Sequence, residues 1–189
     1  NATTYCNIGT WPHLIELVPE DRQVTFVSGM PFQIGEITVK PFRISHDASE
    51  PVGYSFFAQG KQISVLTDTG CVTQEIYDEI KDADLVALEA NHDKDVLAFC
   101  RYPYHIKRRI LSDVGHLSNE AAGDCICRLA SDNAKKRQIL LSHLSHENNT
   151  PEIAKVTITN IMETAGIYVG GDLCIDVITR EKISDIYIL

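Results

Sequence analysis

Several features are absent from this sequence, and each absence excludes a class of protein. No apolar run approaches the roughly 20 residues that a membrane span requires, and no signal-peptide pattern is present. No internal repeat, low-complexity tract or Pro/Gly-rich linker divides the chain. We therefore expect a cytoplasmic protein that does not bind membranes and whose residues 1–189 form a single domain.

An excess of basic charge is also missing, as is the cysteine spacing of a disulfide-rich scaffold. The 17 Lys and Arg residues stand against 26 Asp and Glu, and the net charge of -9 argues against broad, non-specific attraction to nucleic acid. An enzyme that holds phosphates through metal ions is still compatible with this charge. The six cysteines lie in segments typical of strands or helices, so we expect reduced thiols. Cys125 and Cys127 lie in a helical stretch, where they point in different directions and make poor joint metal ligands.

Hydrophobic patterning predicts strands first and alternating helices and strands later. The early strands are predicted at Gln23–Val27, Glu36–Ile44, Gly53–Ala58 and Gln62–Thr67, with a turn at Gln59–Lys61. The later part has helices capped at Thr73, Ser118 and Thr150, a helix stop at Gly166, and strands at Asp84–Glu89, Gln138–Leu141, Leu173–Thr179 and Asp185–Leu189. This order predicts a layered α/β domain with mixed sheets, not a regular doubly wound one.

Metal-ligand side chains follow the ends of apolar strands at three places: S-H-D at 45–47, T-D-T-G at 67–70 and S-H-L-S-H at 142–146. Strand ends are where α/β folds place site residues, and imidazole with carboxylate suits zinc, manganese or iron. Each segment alone also has an ordinary structural interpretation. A single histidine after a strand is often a capping or solvated residue, and D-T-G is common in turns where Gly takes positive φ. The joint occurrence favours a site, although spacing alone does not show that the three segments meet.

Other segments combine titratable and aromatic side chains. Residues 101–109, R-Y-P-Y-H-I-K-R-R, form the most basic and aromatic stretch of the chain. Such a stretch suits a phosphodiester backbone and unstacked bases, but composition alone favours a helix with a solvated cationic face. G-H-L-S-N at 115–119 precedes a capped helix, and E-A-N-H-D at 89–93 ends a buried strand in a polar cluster.

Taken in order, these stretches resemble the metallo-β-lactamase superfamily, and within it the YycJ/WalJ-like group of bacterial proteins. The matching segments are G-T-W at 9–11, S-H-D-A-S-E-P-V-G-Y at 45–54, T-D-T-G at 67–70, L-E-A-N-H-D at 88–93, Y-P-Y-H-I-K-R-R-I-L-S-D-V-G-H-L-S-N at 102–119 and L-S-H-L-S-H-E-N-N-T-P-E at 141–152. They cover nearly the whole chain in the right order. The resemblance implies an α/β (α+β) fold, the metallo-β-lactamase-type αββα sandwich, with a one- or two-metal site along one sheet edge.

The resemblance also implies roles for individual residues. His46 matches a ligand of the first metal, Asp68 the carboxylate that bridges both metals, and His143 the last ligand of the second. His116 matches a non-ligand histidine beside the scissile phosphate and is the expected catalytic residue. Glu89 lies near the site without an assigned role. The expected substrate-binding residues are His92, Asn119 and Arg109.

One superfamily motif is absent, because no H-x-H pair occurs anywhere and H-x-H-x-D-H is therefore missing. Since the chain does not begin with Met, we expect that motif upstream of Asn1 and regard the fold as N-terminally truncated. The intact protein is expected to hold two divalent ions, zinc or manganese, whereas these 189 residues alone should bind metal weakly or not at all and should not catalyse. Core surface left uncovered would favour a homodimer or a bound partner segment.

The function that the resemblance implies is metal-dependent phosphodiester hydrolysis by a nuclease acting on DNA. In this chemistry metal ions polarise the phosphoryl oxygen and lower the pKa of a bridging water, and a protonated His116 serves the leaving oxygen. The alternatives are a small-molecule (cyclic) phosphodiesterase and a degenerate or truncated, non-catalytic binding module. Thiol-ester or amide hydrolysis also stays open, since the fold hosts many chemistries. The basic stretch at 101–109 favours a polyanionic partner, either nucleic acid or a small phosphodiester.

Overall fold

The computed structural model describes residues 2–132 and 135–189. Asn1, upstream of which the missing motif is expected, lies outside the described residues. Within these ranges the chain forms a seven-stranded sheet and a two-stranded sheet. The strands are β1 (Thr4–Asn7), β2 (Gln23–Phe26), β3 (Phe32–Ile34), β4 (Ile37–Arg43), β5 (Val52–Ala58), β6 (Lys61–Leu66), β7 (Leu85–Glu89), β8 (Arg137–Ser142) and β9 (Leu173–Val177). The helices are α1 (Trp11–Leu14), α2 (Gln74–Ile80), α3 (Lys94–Phe99), α4 (Tyr104–Ile110), α5 (Asn119–Asp132) and α6 (Pro151–Thr164).

The large sheet has the strand order β3-β4-β5-β6-β7-β8-β9. Its first four strands pair antiparallel, and β6 through β9 pair parallel. Strands β4 and β6 run in the same direction because both are antiparallel to β5. The carboxyl ends of β4, β6, β7 and β8 therefore lie at one edge of the sheet, and the loops that follow them converge there.

The predicted helix starts are confirmed by side-chain caps. The Thr73 hydroxyl accepts a hydrogen bond from the Ile76 N–H at 3.3 Å, and the Thr150 hydroxyl accepts one from the Ile153 N–H at 3.2 Å. Ser118 caps α5 in the same way, accepting from the Ala121 N–H. These bonds satisfy backbone donors that a helix leaves unpaired in its first turn. Gly166, with a φ of 75°, follows the end of α6 as the sequence predicted.

The main core lies between one face of the large sheet and helices α2, α5 and α6. Strand β7 is buried along its whole length because Val86 and Leu88 face these helices, whereas Leu85 and Ala87 belong to a smaller cluster on the opposite face. Cys125 points into the main core, where burial raises the pKa of its thiol to about 12, and Cys127 is only partly buried. The six cysteines all belong to the described residues and form no disulfide.

The strand predicted at Asp185–Leu189 is wrong. This segment has no regular secondary structure, and Ile186 and Ile188 are each 92% exposed. Alternating apolar residues form a strand only when the backbone finds a neighbouring strand to pair with. Of this tail, Tyr187 packs against the smaller apolar cluster. In the described ranges no helix has both the length and the apolar character needed to cross a membrane.

Candidate metal centre

Titratable side chains from several loops meet at the sheet edge where β4, β6, β7 and β8 end. His46 follows β4, Asp68 follows β6, His143 directly follows β8, and Glu89 is the last residue of β7. The carboxylate oxygen Oδ1 of Asp68 lies 3.8 Å from Nε2 of His46, 3.6 Å from Nε2 of His143 and 3.8 Å from Nδ1 of His116. The convergence that sequence spacing left open is therefore present in the fold.

Hydrogen bonds fix which nitrogen of His46 and of His143 faces Asp68. Nδ1 of His46 lies 3.0 Å from the carbonyl oxygen of Gly115, and Nδ1 of His143 lies 2.8 Å from Oε1 of Glu89. Because a carbonyl or a carboxylate only accepts, Nδ1 carries the proton in both rings and Nε2 keeps its lone pair. Metal-ligating histidines are held in this way by an acceptor on the far side of the ring.

The backbone at two of these residues has an uncommon conformation. Among the described residues, Gln59, Asp68 and His143 are the non-glycine residues with positive φ, at 50°, 56° and 55°. Gln59 belongs to the predicted turn between β5 and β6, but the other two lie at the cluster. Such conformations cost free energy and collect at functional sites, where the surrounding structure holds them. At His143 part of that support is a hydrogen bond of 2.9 Å from the Asn91 side chain to the His143 carbonyl oxygen.

Gly70 has a different reason for being glycine than the turn chemistry of D-T-G indicates. Positive φ occurs at Asp68, not at Gly70, which is outside the set of positive-φ glycines. A Cβ atom at Gly70 would lie 2.3 Å from the backbone carbon of Asp113. The Gly70 N–H also donates to the Ser45 carbonyl oxygen at 2.9 Å. Gly70 thus permits the close approach of the Asp68 loop to the backbone at Asp113, in the segment that leads to His116.

Glu89 is the residue that sequence reasoning left without a role, and it lies at the centre of the hydrogen bonding. Its side chain is fully buried, with Oε1 accepting from Nδ1 of His116 and of His143 at 2.8 Å each, and Oε2 accepting from the Thr69 N–H at 2.8 Å. Burial by itself would raise the pKa of Glu89, but these hydrogen bonds hold it below its ordinary value. In turn, the hydrogen bond to Glu89 raises the pKa of His143.

The donor set fits a divalent metal ion. Asp68, Glu89, His116 and His143 each offer one ligand atom, and these atoms lie within 4.8 Å of one another. Carboxylate oxygen with imidazole nitrogen is the combination that zinc and manganese take in proteins. The acceptors behind His46 and His143 supply the outer support that such ligands need.

His92 and Asn119, also expected to bind substrate, are buried behind this cluster. His92 is 1% exposed and forms a backbone bridge with Ser118, so the chain after β7 continues through the interior. Asn119 is completely buried, where it exchanges side-chain hydrogen bonds with Asn149. The Asn149 amide also donates to the Ala90 carbonyl oxygen at 2.8 Å. Both predicted residues therefore support the loops of the site from inside.

His92 should make the stability of the chain depend on pH. Burial lowers the pKa of His92 to about 4, and neither ring nitrogen has a hydrogen-bond partner among the described residues. In the unfolded chain the imidazole of His92 takes up a proton below about pH 6.5, whereas in the folded chain it does so only near pH 4. The contribution of neutral His92 to the free energy of unfolding is therefore fully present above about pH 6.5 and is lost as the pH falls. Between pH 7 and pH 5 this difference amounts to about 2 kcal/mol.

The measurement is urea unfolding of the wild-type chain and of His92→Leu at both pH values. The wild type should lose about 2 kcal/mol more than the variant on going from pH 7 to pH 5. His143, whose raised pKa acts in the opposite direction, contributes equally to both proteins and cancels. An equal pH dependence in the two proteins would refute the assignment of a neutral, buried His92.

Arg109 lies at the rim of the cluster, as a substrate-binding residue would. Its side chain is about half exposed and makes two hydrogen bonds to Asp47, at 2.5 Å from Nε and 2.8 Å from a terminal nitrogen. The hydrogen bond from Arg109 lowers the pKa of Asp47, whose Oδ1 lies 3.6 Å from Nε2 of His46. Residues 104–109 of the basic stretch lie in the short helix α4, whose carboxyl end is beside the metal-ligand candidates.

A cavity of about 660 Å³ opens beside His143. Its wall combines the loop after β8, the start of α6 and the segment after β9, including His146, Thr150 and Arg180. Arg180 donates to the Leu144 carbonyl oxygen at 3.2 Å, which ties the two loops together. A volume of this size is in the range of small-molecule sites, so a substrate has room next to the cluster.

Comparison with known proteins places this chain in a family. Residues 1–144 match the family model of the Beta-lactamase superfamily domain, and the chain belongs to that superfamily. Its fold resembles that of the metallo-β-lactamase fold protein YhfI from Bacillus subtilis, with a TM-score of 0.63 and 16% sequence identity over 90% of this chain and 60% of that one. The predicted mixed α/β fold class is therefore confirmed.

Within the superfamily, two curated relatives confirm the resemblance stated from the motifs. The chain is 40% identical over 169 residues to the exodeoxyribonuclease YycJ of Bacillus anthracis, covering 88% of this chain and 63% of that protein. It is 37% identical over 173 residues to the exodeoxyribonuclease WalJ of Streptococcus pneumoniae, covering 89% of this chain and 64% of that protein. The chain thus spans a little under two thirds of the length of these relatives.

Proposed function

We propose that the gene product carrying this chain is a metal-dependent phosphodiester hydrolase, a nuclease acting on DNA. The observation that carries the proposal is the position of the Asp68 carboxylate, with Oδ1 within 3.8 Å of a lone-pair nitrogen of both His46 and His143. The names of the two curated relatives, both exodeoxyribonucleases, support DNA as the substrate.

In this proposal His46, Asp68 and His143 would hold the divalent ions, zinc or manganese, with Asp68 supplying the carboxylate. When bound, such ions act as Lewis acids on the phosphoryl oxygen and supply a water of lowered pKa at neutral pH. Gly115 and Glu89 orient the two imidazoles through their Nδ1 protons. The ligand atoms are thereby directed to one point before any ion arrives.

His116 is the proposed catalytic residue. Its Nδ1 lies 2.8 Å from Oε1 of Glu89, and its ring lies 5.2 Å from that of His46 and 5.4 Å from that of His143, measured between centroids. With Nδ1 committed to Glu89, Nε2 remains to donate a proton to the leaving oxygen when the ring is protonated. Glu89 fixes the ring orientation that this transfer needs.

The test is an assay of the full-length gene product with labelled DNA and, separately, with a cyclic nucleotide, before and after metal removal by a chelator. We expect DNA to be degraded only in the metal-loaded protein, with activity restored by zinc or manganese. Cleavage of the cyclic nucleotide without DNA degradation would instead establish the small-molecule phosphodiesterase. If the metal-loaded protein hydrolyses neither substrate, the non-catalytic binding module is the alternative that holds.

A further inference from the structure

Two large aromatic side chains project into solvent at the corner between α3 and α4. Phe99, the last residue of α3, is 90% exposed, and Tyr104, the first residue of α4, is 76% exposed. We refer to these two residues as the aromatic corner. A single exposed apolar residue is ordinary, but two exposed aromatic rings close in sequence to the cationic side chains of one short helix indicate a binding surface.

The charge around the aromatic corner is opposite to that of the chain as a whole. The chain has a net charge of -9, yet residues 97–112 contain four Lys or Arg residues and no Asp or Glu. Three of the cations, Lys107, Arg108 and Arg109, lie in the last turn of α4. A local basic surface on an acidic protein attracts a polyanion to that surface and not to the rest of the molecule.

The aromatic corner is continuous with the candidate metal centre through α4. The Ile110 carbonyl oxygen, at the end of the helix, accepts a hydrogen bond of 3.0 Å from the N–H of His116. Arg109 is bonded to Asp47, the neighbour of His46. Since a helix rises about 1.5 Å per residue, Tyr104 lies only about 9 Å along α4 from Ile110. A DNA strand that has one phosphate at the metal centre therefore reaches the aromatic corner within a few nucleotides.

The corner is also held in place, as a recognition surface requires. The Lys107 ammonium donates to the Ala98 carbonyl oxygen at 2.6 Å and so joins α4 to the end of α3, directly before Phe99. Lys107 lies three residues after Tyr104, so the two side chains share a face of the helix. Leu97, completely buried, anchors α3 in the protein. The two rings are therefore presented by fixed elements.

We propose that the aromatic corner is a stacking platform for unpaired bases of the DNA strand whose phosphodiester lies at the metal centre. This inference rests on the proposed function and adds that the substrate strand is single-stranded at this point. Aromatic rings stack on bases of any sequence, but only where those bases are not paired inside a duplex. The positive charge of α4 then attracts the phosphate backbone of the same DNA strand, whereas the rings contact its bases.

The experiment measures binding apart from catalysis. The affinity of the full-length protein for a fluorescein-labelled oligo(dT) of ten nucleotides is determined by anisotropy, and hydrolysis of bis(p-nitrophenyl) phosphate is measured in parallel. The variants are Phe99→Ala/Tyr104→Ala and the conservative Tyr104→Phe. The matched control is Tyr168→Ala, an aromatic residue that is 70% exposed beyond the far end of α6.

Alanine at both aromatic positions should weaken oligo(dT) binding about tenfold or more, because stacking contributes about 1–3 kcal/mol per base. Tyr104→Phe should bind within about twofold of wild type, and hydrolysis of the small diester should be unchanged in all variants. Wild-type affinity in the double alanine variant, or an equal loss in Tyr168→Ala, would overturn the platform, as would a wild-type protein that does not bind oligo(dT). If oligo(dT) binding depends on the two rings but no diester is hydrolysed, the platform stands and the proposed function fails.

Discussion

Replacing Asp68 with alanine should abolish metal-dependent DNA hydrolysis by the full-length gene product, with kcat/KM falling at least about 1000-fold. The reason is the central position of this carboxylate, whose Oδ1 faces nitrogens of His46, His116 and His143 at 3.6 to 3.8 Å. Without it the metal-binding nitrogens of His46 and His143 would lack the carboxylate that lies near both of them. The several kcal/mol that metal ions contribute to phosphoryl-transfer transition states would be lost with them.

The measurement combines initial rates on labelled DNA with metal content by elemental analysis after dialysis. Asp68→Asn is the informative second variant, because the amide keeps the shape of the side chain but lacks its charge. It should lose metal nearly as completely as the alanine variant. Asp185→Ala, in the exposed tail, serves as the control and should retain wild-type rates and metal content. Full activity in Asp68→Ala would contradict the metal centre and support the non-catalytic binding module.

The residues of the candidate site were predictable from the sequence where a simple geometric rule connects them. His46, Asp68 and His143 each follow an apolar strand, and strands that run in the same direction end at the same sheet edge. The sequence could not show that β4 belongs to this set, because its direction depends on the pairing of β4 with β5 and of β5 with β6. Such pairings are non-local, and no single segment carries them.

Burial was the property that local patterns predicted least well. His92 stands in a polar cluster at the end of β7, yet it is 1% exposed because the chain continues inward and pairs with Ser118. The tail at Asp185–Leu189 alternates apolar residues like a strand but pairs with no strand in the described part of the chain. In both cases the outcome was decided by what the rest of the fold places beside the segment. The local sequence does not show whether such a neighbour is present, so it does not determine burial.

The role of Glu89 has a recognisable signal in the sequence. Glu89 is the only ionisable residue in β7, L-V-A-L-E, and a carboxylate at the end of a fully buried strand needs hydrogen-bond donors around it. The donors are the Thr69 N–H and the rings of His116 and His143. One buried anion thus connects the loop of Asp68, a ligand candidate and the proposed catalytic histidine.

Replacing Glu89 with glutamine should lower metal affinity and kcat/KM by about 10- to 100-fold, the usual effect of removing an outer partner of a metal ligand. Both oxygens of Glu89 face donors, with two imidazoles on Oε1 and the Thr69 N–H on Oε2. In glutamine one of these oxygens is replaced by an NH₂ group, and this hydrogen-bond donor then faces another donor. Either the Thr69 loop next to Asp68 or the two imidazoles must then shift.

The zinc affinity is measured by titration against a chelating dye, and kcat/KM is measured on labelled DNA. Glu89→Asp, which keeps the charge on a shorter side chain, should recover part of both quantities, because Glu89 positions the histidines without itself touching substrate. Glu163→Gln, an exposed carboxylate near the end of α6, is the control and should match wild type. Urea unfolding of each variant separates loss of positioning from loss of folding. Wild-type zinc affinity and kcat/KM in a folded Glu89→Gln protein would show that the two imidazoles are oriented by other contacts.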